Sequence, residues 1–169
     1  MALEWAMQKI WTVSSKTSEL PNEVFPRITQ SGAMFGLSQF DRNHRVATLC
    51  EGEIDAMSLR SMGAKNPVAS ATNQITASQA MSMFPYIDRL IHVPDAEVSG
   101  AVSVKRIVKF FQDTEISIRV IDCGLVTIED GLTLKKRPAK DANDLESEDQ
   151  FEYLMEHWIS PEEFLEKYK

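Results

Sequence analysis

The sequence predicts an α/β protein: an open, mainly parallel sheet of about four strands with helices on both faces, and helical extensions at the two ends. Three observations point there. Apolar runs of strand length recur at 46–50, 67–71, 89–94 and 115–122. Between them lie segments whose apolar residues return at helical spacing, an alternation that favours parallel strands joined by crossovers. Acidic residues stand directly after two of the runs, at Glu51 and Asp95.

Residues 1–35 are expected to form an N-terminal helix and linker, because Leu3, Met7 and Ile10 are spaced for an amphipathic helix and Pro21 and Pro26 punctuate the polar stretch after it. The small patch Met34, Phe35, Leu37 and Phe40 should pack on the sheet edge. Residues 36–145 make up the main domain. Its first strand ends at Glu51, and Gly52 marks a sharp turn into a helix. Glu51 and Asp55, four apart, can then face one side of the first helical turn, with Ile54, Met57 and Met62 directed inward. A strand at 67–71 follows, a helix over 76–83, and a strand at 89–94 that ends on Asp95.

Ala101, Val104, Val108 and Phe111 recur at helical spacing, and Ile116, Ile118 and Val120 alternate as in a strand. In open sheets of this kind ligands bind outside the carboxyl ends of the strands, which is where Glu51 and Asp95 fall. Residues 146–169 form an acidic C-terminal extension, read as a helix, a break at Pro161 and a short final helix.

At 169 residues and 43% hydrophobic content the chain suits one domain, burying roughly 70% of its unfolded surface. Cys50 and Cys123 are read as reduced and buried, which implies a reducing, cytoplasmic setting. No apolar run approaches the ~18 residues of a membrane span, and no basic segment with an apolar signal core follows Met1. The net charge of −7 is unevenly spread: residues 141–169 hold ten acidic and two basic residues, leaving about +1 for the first 140. That balance removes the general attraction on which strong non-specific nucleic-acid binding depends, so any nucleic acid is expected to be held weakly or locally.

The acids fall in three groups: Glu51 with Asp55, Asp95 with Glu97, and the KDAND segment with Asp141 and Asp144. Mg²⁺ takes oxygen ligands, keeps several waters and uses one or two carboxylates plus substrate phosphates, which suits acids gathered from separate strand ends. Acids after strands also cap helix starts and complement the helix dipole, the commoner explanation for any single group and the one adopted for Glu53. Three groups at one edge are different, because crowded like charges raise each other's pKa unless a cation is present.

The basic residues divide similarly. Lys105, Arg106 and Lys109 follow the second acidic group on a helix; a solvated face is the commoner explanation, contact with triphosphate or template backbone the other. Lys135, Lys136, Arg137 and Lys140 form a denser cluster, read as a loop containing Leu132 and Leu134, and basic loops beside a metal site suit phosphates. His92 is read as a core residue, and Trp5, Trp11 and Trp158 as packing anchors. The sequence contains no GK[ST]-ending phosphate loop and no four-cysteine or Cys/His zinc module.

The run CEGEIDAMSL, then PDAEVSG and KDANDL, resembles the TOPRIM domain of bacterial-type primases, topoisomerases and related nucleases. With the upstream MFGLSQF it is most similar to the version in phage primase-helicases and the Twinkle helicase. The resemblance spans roughly residues 34–145. It implies metal-dependent nucleotidyl transfer in DNA replication, by a stand-alone or excised domain, with Mg²⁺ or Mn²⁺ as cofactor. Glu51 would act in acid–base chemistry or metal binding, Asp95 and Glu97 would hold the metal, Asp141 would support a second one, and Asp55 and Asp144 would assist. The pair reads Asp95-Ala96-Glu97 where the family has Asp-x-Asp, and Asn143 matches the phage-like KDAN form. Implied partners are a single-stranded DNA template, nucleoside triphosphates and a helicase or other replication protein, with no membrane. The alternatives are a non-catalytic replication accessory or binding module, and a TOPRIM nuclease.

Overall fold

The computed structural model describes residues 33–71, 75–130 and 135–169. The expected N-terminal helix with Trp5 and Trp11, and the loop positions Leu132 and Leu134, lie outside the described residues. Four parallel strands, β1 (Val46–Cys50), β2 (Pro67–Ala69), β3 (Arg89–His92) and β4 (Ser117–Val120), line up in the order β2-β1-β3-β4. The helices α1 (Glu53–Ser61), α2 (Ala77–Met83) and α3 (Val98–Phe111) occupy the crossovers. Beyond β4 come a two-stranded antiparallel hairpin, β5 (Thr127–Glu129) and β6 (Lys136–Pro138), and two C-terminal helices, α4 (Glu148–Glu156) and α5 (Pro161–Lys167). This is the mainly parallel α/β architecture that the alternation of runs predicts.

The central strands read as continuous apolar runs because both faces of the sheet are covered. On one face Leu49, Val68 and Leu90 pack with Ala80 and Met83 of α2 and with Ile107, Phe110 and Phe111 of α3. On the other, Cys50, Ala69 and Ile91 meet Ala56 and Leu59 of α1 and Phe151 and Leu154 of α4. The edges have partners too. Phe35 pairs with Ala69 on the outer side of β2, and Ile159 pairs with Val120 on the outer side of β4, each bridge covering part of an edge strand. Met34 enters the core beside α2, whose buried Gln79 caps the helix start and also donates to the Ala33 carbonyl.

Two expectations are corrected. Ile54 and Met57 do not point inward: they are 64% and 60% exposed, while Ala56, Leu59 and Met62 are buried. Packing sets this phase, since Ala56 and Leu59 are the positions of α1 that meet the strands and α4. The basic run at 135–137 is not a simple loop, because Lys136 and Arg137 lie in β6 and pair with β5 above the buried Ile128. Met62 is directed inward as expected, and Gly63, at φ 80°, closes α1 in a left-handed turn.

The acidic C-terminal segment is integral to the packing. Pro161 opens α5 behind a Ser160–Glu163 capping box, and Phe164 is fully buried against Ala101, Val104 and Val120. Trp158 is partly exposed, with the Arg119 guanidinium 4.4 Å from its ring centroid. Cys50 and Cys123 are buried and unbridged, and His92 is a core residue whose ring nitrogens meet the Leu49 carbonyl and Ser103. No described helix is long and apolar enough to cross a membrane.

Candidate functional site

Parallel pairing makes β1 and β3 end at the same edge of the sheet, so Glu51 and Asp95 arrive side by side. Beyond the strands the Val93 N–H still donates to the Leu49 carbonyl at 2.8 Å, carrying the register up to Asp95. The Glu51 carboxylate is half-buried, and its Oε1 has no hydrogen-bond partner among the described residues. Burial, then the charges of Asp95 and Asp55, pushes its pKa up to about 7. Ala71, held at φ 57°, donates its N–H to the Glu51 carbonyl at 3.0 Å, so the end of β2 closes over the same corner.

Asp55 is more than an added charge. Its carboxylate accepts the Gly52 N–H at 3.2 Å and the Asn143 N–H at 3.1 Å, tying the start of α1 to the KDAND segment. Burial and then Asp141 raise its pKa to about 6, against the opposing pull of those two amides. The Ser58 hydroxyl donates to the Asn143 side chain at 3.2 Å, a second link between the same segments.

The Asp95-Ala96-Glu97 segment leads into α3, with Glu97 as the residue before its first turn. Gly100 is required there by space, because a Cβ would overlap the Asp95 carbonyl oxygen and lie 3.0 Å from its carbon. The close approach is therefore to the acidic segment itself. Glu97 accepts the Ser99 hydroxyl at 2.7 Å. Burial raises the pKa of Asp95, with Asp141 and Glu97 adding to it and Lys140 working against it. The Lys140 ammonium lies 3.7 Å from both the Asp95 and the Glu97 carboxylates.

Asp141 starts a short 3-10 turn over Ala142–Asp144 and accepts the Asp144 N–H at 3.1 Å. Asp144 serves the scaffold: Arg137 grips it with two bonds of 2.7 and 2.8 Å, and the Lys140 N–H adds a third at 2.7 Å. These contacts, the Arg137 pair foremost, hold its pKa below the ordinary carboxylate range.

Glu51, Asp55, Asp95, Glu97 and Asp141 thus share one electrostatic neighbourhood. Among the described residues no three acids, histidines or cysteines are drawn into a ready ligand set. The donors nonetheless fit a hard cation: they are carboxylate oxygens, the crowded acids push up the pKa values of Glu51, Asp55 and Asp95, and Glu51 keeps a buried oxygen without a partner among the described residues.

Most of the basic candidates stand elsewhere. Lys105 and Lys109 are exposed on α3, roughly 10 and 16 Å along its axis from Val98. Arg106 donates to the Ile75 carbonyl at 2.8 Å and lies over the Phe110 ring. Lys135 and Lys136 are exposed beside and on the hairpin, Arg137 is committed to Asp144, and Lys140 reaches the acids. Sequence reasoning missed Asp122, whose buried carboxylate accepts from Lys167 at 2.6 Å and Tyr168 at 2.9 Å and steadies the turn at Gly124. Partners 45 residues away leave no local signal. Ser58 and Ser99 were also missed, although a serine two residues after a helix-start glutamate is a local cue.

A family model described as Toprim-like matches residues 48–145. Solved structures similar to the chain include the DnaG catalytic core (19% identity, TM-score 0.61) and a DnaG primase catalytic domain bound to single-stranded DNA (20%, 0.59). A third comprises the zinc-binding and RNA polymerase domains of the Aquifex aeolicus primase (15%, 0.60). The alignments take in 88%, 86% and 84% of this chain but 48%, 45% and 34% of those. The chain thus spans about half of their length or less. A comparison with curated proteins finds no match.

Proposed function

Because the chain belongs to the Toprim-like family, we propose that it supports primase-type nucleotidyl transfer in DNA replication, using Mg²⁺ or Mn²⁺, nucleoside triphosphates and a single-stranded DNA template. One observation carries the reading: Glu51 reaches the carboxyl edge of the sheet beside Asp95 with a buried oxygen left without a partner. Asp95, Glu97, Asp141 and Glu51 would hold the metal, which when bound supplies charge stabilisation for attack of a hydroxyl on a phosphate. Without metal, burial and the neighbouring acids hold the Glu51 pKa near 7, and a bound cation would draw it down and favour the carboxylate. Asp55 and Asp144 keep the three acidic segments in register, the first through the Gly52 and Asn143 amides, the second through Arg137 and the Lys140 amide.

The test is template-directed ribonucleotide incorporation with either metal, native chain against Glu51→Gln. Loss of product by about a hundredfold or more is expected for removal of an acid–base group; equal product from both overturns the catalytic reading. One observation favours a binding module instead, namely that among the described residues the acids are not drawn into a ready ligand set. Calorimetric titration separates the two, since a module without catalysis shows no Mn²⁺ uptake that depends on Asp95.

A further inference from the structure

Lys140 is pinned by its main chain and loose at its tip. Its N–H donates to Asp144 at 2.7 Å, and its carbonyl accepts the Ala96 N–H at 2.7 Å, so its backbone is stitched between the 3-10 turn and the Asp95–Glu97 segment. The ammonium stands 3.7 Å from Asp95 Oδ2 and 3.7 Å from Glu97 Oε2. That is longer than the ~2.8 Å of a close charge-assisted bond. The side chain is 50% exposed, and the two carboxylates keep it charged by raising its pKa above the ordinary lysine range. A solvated, loosely seated ion pair is weak and readily exchanged.

We propose that Lys140 is a built-in counter-cation of the Asp95–Glu97 pair, which a divalent metal displaces and which then turns to the phosphates of a bound triphosphate. The inference rests on the reading of these acids as metal ligands. Two facts give it direction. The acids repel one another and need positive charge at the edge of the sheet, and Lys140 is the side chain that places it between the pair. Its main chain is fixed at both ends, so the freed ammonium stays within a flexible stem's reach of the same edge.

The experiment titrates Mn²⁺ by calorimetry into the native chain, Lys140→Met, Lys140→Arg and Asp95→Asn, first alone and then with inorganic tripolyphosphate. Without tripolyphosphate, Lys140→Met should bind Mn²⁺ roughly two- to fivefold more tightly at low salt, as removal of a weak competing ion pair predicts, with Lys140→Arg close to native. With tripolyphosphate present the order should reverse, since the methionine offers no charge to the phosphates. Equal Mn²⁺ affinity of the native chain and Lys140→Met overturns the counter-cation role and leaves the metal reading standing. An unchanged order with tripolyphosphate overturns the phosphate step. Absence of uptake by the native chain, or uptake indifferent to Asp95→Asn, overturns this inference and the metal reading together.

Discussion

Glu51 is the residue on which most of the site's electrostatics converge. Without metal its carboxyl keeps its proton up to about pH 7 in the folded chain, against an ordinary value of 4.5. Between those values the folded state binds more protons than the unfolded one, so stability falls as pH rises. Its contribution is fully present below about pH 4.5 and lost as pH climbs through 7; Asp55, raised from 3.8 to about 6, acts in the same sense. In EDTA, Glu51→Gln should therefore melt with the native chain at pH 4.5 and about 3 °C above it at pH 8, a modest figure because the group is partly solvated. Parallel melting profiles across that range would remove the carboxylate from the account. At this scale the sequence was legible where chemistry follows a strand directly, as at Glu51 and Asp95. It was not legible for Ile54 and Met57, since which face of α1 is buried depends on the strands and the C-terminal helix that pack against Ala56 and Leu59.

The elements explain how three acidic segments far apart in sequence stay in register. β1 and β3 bring two of them by parallel pairing, which the apolar runs already implied. The third arrives through the β5–β6 hairpin, which was hidden in the sequence. Its strands are three residues each, and Lys136 and Arg137 read as part of a basic loop until their pairing with Thr127–Glu129 is seen. Asp144 is the joint, bound by Arg137 from β6 and by the Lys140 amide. Asp144→Ala should cost about 1–2 kcal/mol in urea denaturation, because the Arg137 guanidinium loses its bidentate acceptor and the Lys140 N–H loses its acceptor too. Arg137→Met, removing the more exposed partner, should cost less, because a solvated ion pair contributes little. If Asp144→Ala unfolds at the native midpoint, the hairpin does not hold the KDAND segment through this joint.

At the scale of the whole molecule, charge and packing pull apart in the C-terminal segment. The sequence reads residues 146–169 as an acidic helical extension, yet Phe151, Leu154 and Phe164 are core residues and Ile159 pairs with Val120 of the edge strand. The apolar positions were visible in the sequence; which surface they covered was not, because that surface is built by strands elsewhere in the chain. The packing keeps many negative charges on the molecule that also carries the exposed Lys135, Lys136 and Lys140. A nucleic-acid strand contacting three lysines should lose affinity with a log–log salt slope of about −2. The acidic helices oppose it further by long-range repulsion. Replacing the exposed Glu152, Glu156, Glu162 and Glu166 by glutamine should tighten binding of a fluorescent oligothymidylate about threefold at 50 mM salt, with the gain vanishing near 0.5 M as screening shortens the range. Anisotropy titrations of both proteins across that range measure slope and gain together. A slope steeper than about −4 would mean that phosphates find more cations than these three. A gain that persists at 0.5 M salt would show that the glutamates act by direct contact rather than through the field of the molecule.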